Sequence, residues 1–227
     1  YYCFGCQAKG NVFSFLKEME GVPFLDAVKT LSFKAGIPLE IDDYESNKIA
    51  STEEEILFNI NDSATKFFTK YLFGTKGSMA LSYLRDRGLT LNTIREFKLG
   101  LSPSKNDELI IFLKAEGYEE HYIEKAGLAF KPENRPLVDR FRNRVMFPIS
   151  NLDDRVVAFG GRSLNTSYGA KYINSAETKV FKKGSLLFNL RNAQTKNRNN
   201  SLLIVEGYMD VITLANNSIN NVVAPLG

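Results

Sequence analysis

Two carboxylates, Glu206 and Asp210, follow an apolar run near the end of the printed chain. The run 202–205 has the composition of a buried strand, and 211–215 continues with helical spacing. In open α/β sheets, catalytic groups collect at the carboxyl ends of strands, and Gly207 lets the chain turn closely there. The pattern predicts that Glu206 is a metal ligand or a general acid or base. Asp210 is a possible second ligand, or an acid that stabilises the start of a helix.

A magnesium ion is the metal that this turn suggests. Magnesium sites combine one or two carboxylates with waters and substrate phosphates, so Glu206 alone does not complete one. Because the sequence stops at Gly227, we expect the remaining acidic ligands to come from residues that follow it. The start at Tyr1 likewise suggests an internal fragment.

Basic side chains form a second group of candidates. In the segment Arg140-Phe141-Arg142-Asn143-Arg144, three guanidinium groups alternate and would project to one side of an extended chain. Arginine forks suit successive phosphates, although a solvated edge strand has the same pattern.

Two further segments favour nucleic acid. Arg162 follows Gly160 and Gly161, which either permit a close backbone approach or form a bulge or turn. Tyr172 is suited to base stacking, with half-buried packing as the alternative. The predicted nucleic-acid or nucleotide ligands are Arg140, Arg142, Arg144, Arg162, Lys171, Tyr172, Asn174 and Lys183.

The two cysteines, Cys3 and Cys6, form a C-x-x-C pair that can supply two thiolates to a tetrahedral zinc site. Zinc needs two further ligands, and the single histidine, His121, lies far along the chain in a helical region. A redox pair or two ordinary cysteines are the alternatives.

Composition indicates a globular protein, and its small net charge does not by itself indicate nucleic-acid binding. The chain has 227 residues, 44% of them hydrophobic, and a net charge of only +3. Nucleic-acid binding must therefore be argued from where the cations lie. No apolar run is long enough for a membrane span, so we expect no membrane partner.

The periodicity predicts two helices after Asn11, a polar linker, and a mostly helical region that begins with a capping box at Thr52 and Glu55. A hairpin of 145–149 with 156–159, a short strand at 172–173, and parallel strands at 202–205 and 222–224 follow. We expect three domains: 1–45, 51–199 and 200–227.

These segments, in this order, resemble the bacterial replicative primases of the DnaG family. The cysteine pair with Gly10-Asn11-Val12-Phe13 is similar to the second half of that family's zinc ribbon. The arginine-rich segment and those around Arg162, Lys171 and Lys183 resemble its basic subdomain. Residues 205–211 are similar to the first motif of the Toprim fold.

The resemblance implies an α+β fold with a partial zinc-ribbon module, a helical and β basic subdomain, and the start of an α/β Toprim sheet. It implies synthesis of RNA primers from ribonucleoside triphosphates on single-stranded DNA, with catalytic magnesium or manganese and structural zinc. Glu206 corresponds to the first acidic catalytic position, and Cys3 and Cys6 to two of four zinc ligands. A replicative helicase would bind through a region that this sequence lacks. We expect a cytoplasmic protein, in a bacterial replisome or a phage-infected cell.

Two parts of the family pattern are missing: the upstream zinc ligands and a later D-x-D pair. We therefore expect little or no polymerase activity from residues 1–227. The alternatives are a non-catalytic single-strand binding protein, and a Toprim nuclease or topoisomerase, which leaves the basic segments and the cysteine pair unexplained.

Overall fold

The computed structural model describes residues 1–2, 5, 9–20, 24–37, 53–164, 170–196 and 201–226. The chain separates into two compact units, residues 1–50 and 51–227. Residues 201–226 lie in the second unit, and the division of residues 51–227 into two domains stays a prediction. Cys3 and Cys6 lie outside the described residues, so the predicted zinc ligands have no structural account.

In its described residues, the first unit contains two helices, α1 (Val12–Glu20) and α2 (Phe24–Ala35). The Oδ1 atom of Asn11 accepts a hydrogen bond of 3.0 Å from the backbone N–H of Ser14, which caps the predicted helix that follows Asn11. An antiparallel bridge joins Tyr2 to Lys9, on either side of the segment that carries the cysteine pair.

The second unit begins with the longest described helix, α3 (Glu53–Phe73), whose buried residues recur every three or four positions. The shorter helices are α4 (Ser78–Asp86), α5 (Leu91–Glu96), α6 (Glu108–Ala115), α7 (Glu120–Lys125), α8 (Leu190–Lys196) and α9 (Tyr208–Asn216). Single 3₁₀ turns span Thr75–Gly77 and Lys183–Ser185. Of the described helices, none is both long and apolar enough to cross a bilayer.

Glu55, one half of the predicted capping box, is bound by an arginine of the β-sheet region. Its carboxylate accepts two hydrogen bonds, of 2.6 and 2.7 Å, from the guanidinium of Arg155. The same guanidinium lies 3.9 Å from the ring centre of Phe58. Thr52, the other half of the predicted box, lies outside the described residues. Glu55 thus ties α3 to the hairpin that contains Arg155, because a bidentate arginine pair offers two charge-assisted hydrogen bonds.

Nine strands form three sheets in the described residues. They are β1 (Gly100–Leu101), β2 (Ala129–Phe130), β3 (Val138–Asp139), β4 (Arg144–Ser150), β5 (Val156–Ser163), β6 (Tyr172–Asn174), β7 (Leu187–Phe188), β8 (Leu203–Ile204) and β9 (Val222–Pro225). The main sheet is antiparallel with order β1-β4-β5-β6, a second pairs β2 with β3, and the third has order β7-β9-β8.

The strand predictions for this region are confirmed. Strands β4 and β5 form the predicted hairpin, in which Oδ1 of Asn151 accepts from the N–H groups of Asp153 and Arg155. Strand β6 pairs antiparallel with β5, and β8 pairs parallel with β9 as the β-α-β pattern predicted.

The expectation that the run before Glu206 is a buried strand is wrong. Leu203 and Ile204 are 43% and 67% exposed. The reason is their place in the sheet, since β8 is an edge strand that only β9 pairs among the described residues.

The main sheet separates two hydrophobic clusters because successive side chains of a strand point to opposite faces. Met146 belongs to the cluster that α3 covers with Leu57, Ile60, Ala64 and Phe68. Val145 and Phe147 belong to the cluster that α9 covers with Tyr208, Met209, Val211 and Ile212. The helix that follows the acidic turn is therefore packed against the sheet that carries the basic residues.

Candidate functional site

A cavity of about 820 Å³ lies between the basic residues and the acidic turn. Its cationic lining comes from the end of α4, the segment after β3, strand β5, the residue before β6, and the 3₁₀ turn. These residues are Arg87, Arg140, Arg162, Lys171 and Lys183. Glu206 and Asp210 line the same cavity. The arrangement can bind a phosphate-containing ligand with a divalent cation, since each has oppositely charged groups to contact.

Arg162 is the most enclosed of these cations, with 8% of its surface exposed. Its Nη1 donates a hydrogen bond of 2.9 Å to the hydroxyl of Tyr172. Its Cζ lies 5.4 Å from the ring centre of Tyr172 and 5.1 Å from that of Tyr83. The guanidinium thus contacts two aromatic rings in a largely desolvated position.

The arginine-rich segment does not form the predicted row of phosphate ligands. Asn143 has a φ of 51°, which interrupts the extended conformation that would align the three side chains. Arg140 reaches the cavity, and its Nε donates to the carbonyl of Asn174 at 3.0 Å. Burial lowers the pKa of the Arg140 guanidinium.

The other two arginines of this segment do not line the cavity. Arg142 donates to Oδ1 of Asn106 at 2.8 Å on an exposed surface. Arg144 donates from Nη1 to the carbonyls of Gly161 and Ala170, at 3.2 and 3.0 Å. Arg144 therefore braces the sheet beside the cavity. Burial and the nearby positive charge of Arg142 lower the pKa of the Arg144 guanidinium.

Asn174 lines the cavity, but both ends of its amide contact the protein. Its Oδ1 accepts a 2.6 Å hydrogen bond from the hydroxyl of Tyr208, and its Nδ2 donates to the carbonyl of Leu226. The side chain that we predicted as a ligand thus joins β6 to the first residue of α9 and to the residue that follows β9.

Tyr172 is half-buried, as the packing alternative predicted. Its ring lies 6.5 Å from that of Phe147 and 6.2 Å from that of Tyr208, measured between centroids. Burial raises the pKa of the Tyr172 phenol, against the opposing effect of Arg162. The contacts of its ring and hydroxyl describe a residue that orients Arg162 rather than a free stacking platform.

Gly160 and Gly161 leave room for aromatic side chains of the protein itself. Both lie within β5, not in a turn or bulge. A Cβ at Gly160 would lie 2.6 Å from the ring of Tyr208, and one at Gly161 would lie 2.7 Å from the ring of Phe141. Their lack of a side chain lets the aromatic residues on both faces approach the sheet.

Glu206 and Asp210 are exposed carboxylates, and Asp210 lies in the first turn of α9. Carboxylate oxygens are the ligands that magnesium prefers, and one or two per ion are common. This donor set therefore fits the implied metal. No group of three or more histidine, cysteine or acidic residues that could hold a metal occurs among the residues that the structure describes.

Sequence reasoning missed Arg87 and Tyr83, which belong to the same site. Arg87 lines the cavity, and its Cζ lies 5.5 Å from the ring centre of Tyr83. Their spacing of one helical turn is a usable signal, because residues at i and i+4 are neighbours on a helix. The proximity of Tyr83 to Arg162 has no such signal, since the two residues are far apart in the sequence.

Comparisons with known proteins identify the family. The model for the N-terminal domain of the DNA primase catalytic core matches residues 67–194, more than half of the chain. The chain belongs to the DnaG family of DNA primases. The model of a CHC2 zinc finger also matches residues 1–47, which implies zinc for this DnaG-family chain.

Similar proteins agree with this assignment. The chain is 42% identical to the DNA primase of Clostridium acetobutylicum over 229 residues, which cover 100% of the chain and 37% of that relative. A solved DnaG primase catalytic domain bound to single-stranded DNA is similar with a TM-score of 0.71 and 38% identity, over 77% of this chain and 55% of that one. The Aquifex aeolicus primase structure, with zinc-binding and RNA polymerase domains, matches with a TM-score of 0.70 and 31% identity, over 100% and 54% of the two chains.

The DnaG resemblance and the α+β fold class predicted from the sequence are thus confirmed. The chain spans about 37% of the length of the Clostridium relative.

Proposed function

We propose that this chain forms the template-binding and nucleotide-binding part of a DNA primase that synthesises RNA primers on single-stranded DNA. The observation that carries the proposal is the cavity in which five cations and two carboxylates meet. Template and nucleotide both bring phosphates, which arginine and lysine bind.

In this proposal the basic residues have two tasks. All five cations bind phosphates: those of the single-stranded template when no nucleotide is present, and during synthesis Arg87, Arg162 and Lys183 bind those of an incoming ribonucleoside triphosphate. Asn174 and Tyr172 contribute by holding the shape of the cavity. Support comes from their internal hydrogen bonds to Tyr208 and Arg162.

Glu206, with Asp210, would hold magnesium or manganese. When bound, such an ion supplies charge neutralisation and orientation for the transferred phosphoryl group. The chain's own contribution is to hold the two carboxylates at the start of α9, opposite the cations. The packing of Tyr208 and Met209 in the hydrophobic cluster supports this fixed position.

For the first unit we propose a zinc module in which Cys3 and Cys6 are two of the ligands. The bridge between Tyr2 and Lys9 supports this, because it brings together the residues on either side of the cysteine pair. The site's donor chemistry is that of a structural zinc site.

The remaining parts of the proposal concern the whole protein. We propose that residues 200–227 begin a Toprim sheet, which the exposed edge strand β8 supports because it can accept a further strand. A replicative helicase is the proposed protein partner, and the cytoplasm the proposed location.

A chimera tests the proposed function. The matching 37% of the Clostridium acetobutylicum primase is replaced by this chain, and incorporation of labelled ribonucleotides is measured on single-stranded DNA. We expect template-dependent primers from the chimera and none from its Glu206→Gln variant, with template binding kept in both. Lys114→Ala, which changes an exposed lysine outside the cavity, is the control. Synthesis that persists with Glu206→Gln would contradict the assigned role.

A further inference from the structure

We infer that Tyr83 is a positioning residue that, together with Tyr172, holds the guanidinium of Arg162 in place to receive a phosphate group. The inference rests on the proposed function, because it concerns how one cation of the cavity is oriented. Tyr83 comes from α4, outside the basic segments, and its ring is partly buried against the hydrophobic cluster that contains α9.

The first line of support is the position of Arg162 between two rings. Its Cζ is 5.1 Å from the ring centre of Tyr83 and 5.4 Å from that of Tyr172. Both distances lie within the range of cation–π attraction, which is stronger where water is excluded. With 8% of its surface exposed, Arg162 is in such a place.

The second line of support is the absence of a counter-ion. Among the residues that the structure describes, Arg162 forms no ion pair, whereas Arg155 in the same unit is bound by the carboxylate of Glu55. A buried charge without a partner is costly. Aromatic faces and the Tyr172 hydroxyl stabilise the guanidinium without neutralising it. Its charge, and the N–H groups that no described side chain binds, are therefore available to an anion.

The third line of support is that Tyr83 serves two cations of the cavity. Arg87 lies one helical turn after it, with Cζ 5.5 Å from the ring centre. The hydroxyl of Tyr83 is buried and has no hydrogen-bond partner within the described part of the chain. The ring, and not the hydroxyl, is therefore the part of Tyr83 that does the positioning.

Binding measurements on this chain test the inference. The dissociation constant of a fluorescein-labelled single-stranded oligothymidylate is measured by anisotropy at several salt concentrations. We expect Tyr83→Leu to weaken binding by about tenfold, as loss of a desolvated cation–π contact implies. The slope of log K against log[salt] should become shallower by about 0.7, the value for one lost phosphate contact on a single strand.

Two matched variants distinguish the effect of losing the Tyr83 ring from a general effect on folding. Tyr83→Phe keeps the ring and should restore binding to the wild-type value. Tyr122→Leu removes a ring that faces Lys125 at 5.7 Å outside the cavity, and should leave binding and slope unchanged. Equal loss in Tyr83→Phe and Tyr83→Leu would overturn the inference, and so would wild-type binding and slope in Tyr83→Leu.

A measurement without DNA keeps the inference separate from the proposed function. In NMR spectra of the free protein, the side-chain Nε–Hε proton of Arg162 should be shielded by the rings and should move downfield in Tyr83→Leu but not in Tyr83→Phe. An unmoved resonance would overturn the positioning role. If wild type does not bind the oligothymidylate, the proposed function fails, while the NMR comparison still decides on Tyr83. If Tyr83→Leu does not fold, the Tyr83→Phe results decide, because loss of binding or of shielding there contradicts the inference.

Discussion

The hydroxyl of Tyr208 donates a hydrogen bond of 2.6 Å to Oδ1 of Asn174. Tyr208 lies two residues after Glu206, and Asn174 is the last residue of β6. The carbonyl of Asn174 accepts from Arg140 on its other side. One asparagine thus joins the acidic turn to a basic residue of the cavity, which fixes the distance across which phosphates and a metal would bind.

Tyr208→Phe should lower the free energy of unfolding by about 1–2 kcal/mol, because it leaves an amide oxygen of Asn174 without its donor. Urea unfolding measures this change. Tyr122→Phe is the control, since the hydroxyl of Tyr122 has no hydrogen-bond partner in the described residues. Equal stability of the Tyr208→Phe variant and wild type would show that the hydrogen bond is not made in solution.

Gly160→Ala should destabilise the second unit by about 1–3 kcal/mol, the usual cost of overpacking. The new Cβ would lie 2.6 Å from the ring of Tyr208, and that ring cannot move away easily. It stacks on Phe147 at 5.2 Å and meets Phe188 edge-on at 4.8 Å, measured between centroids.

The matched control for this prediction is Gly184→Ala. A Cβ at Gly184 has no atom within 4 Å, so the free energy of unfolding should change little. Thermal and urea unfolding of both variants provide the comparison. Similar stabilities for the two would mean that Tyr208 does not press against β5.

The buried carboxyl of Asp139 should make the free energy of unfolding depend on pH. This carboxylate accepts from the N–H groups of Leu109 and Ile110, at 3.0 and 3.1 Å, at the start of α6. Burial raises the pKa of this carboxyl from 3.8 to about 6, and the two hydrogen bonds oppose only part of that rise. The folded protein therefore keeps the proton over a pH range in which the unfolded chain has lost it.

The expected result is a free energy of unfolding that falls as pH rises from about 4 to about 6 and then levels off, by up to about 3 kcal/mol from this group. Asp139→Asn lacks the titrating group. The difference in stability between wild type and this variant should therefore change over that range, because all other carboxylates contribute equally to both proteins. A difference that is constant from pH 4 to 7 would refute the raised pKa.

The periodic parts of the fold could be predicted from the sequence. Apolar residues at every three or four positions predicted α3, and the polar residues at 151–154 predicted the turn of the β4–β5 hairpin. Local signals were sufficient there, because one element or one turn determines the pattern.

Long-range contacts account for what the sequence could not predict. The alternating arginines suggested a row, but Arg144 bonds to carbonyls of Gly161 and Ala170, which come later in the chain. Asn174 had the chemistry of a ligand, yet its amide is bonded to Tyr208 and Leu226. Residue type identified the segments that line the cavity, while the acceptors of each donor depend on the tertiary fold.

The salt dependence of single-stranded DNA binding by this chain and its Lys171→Ala variant tests whether the cavity binds the template. With five cations in the cavity, the wild-type slope of log K against log[salt] should be on the order of −3, and Lys171→Ala should reduce its magnitude by about 0.7. Lys114→Ala, whose lysine pairs with Glu120 on an exposed helix surface, should match wild type. Wild-type binding that is independent of salt, or a slope that Lys171→Ala leaves unchanged, would contradict a template track in this cavity.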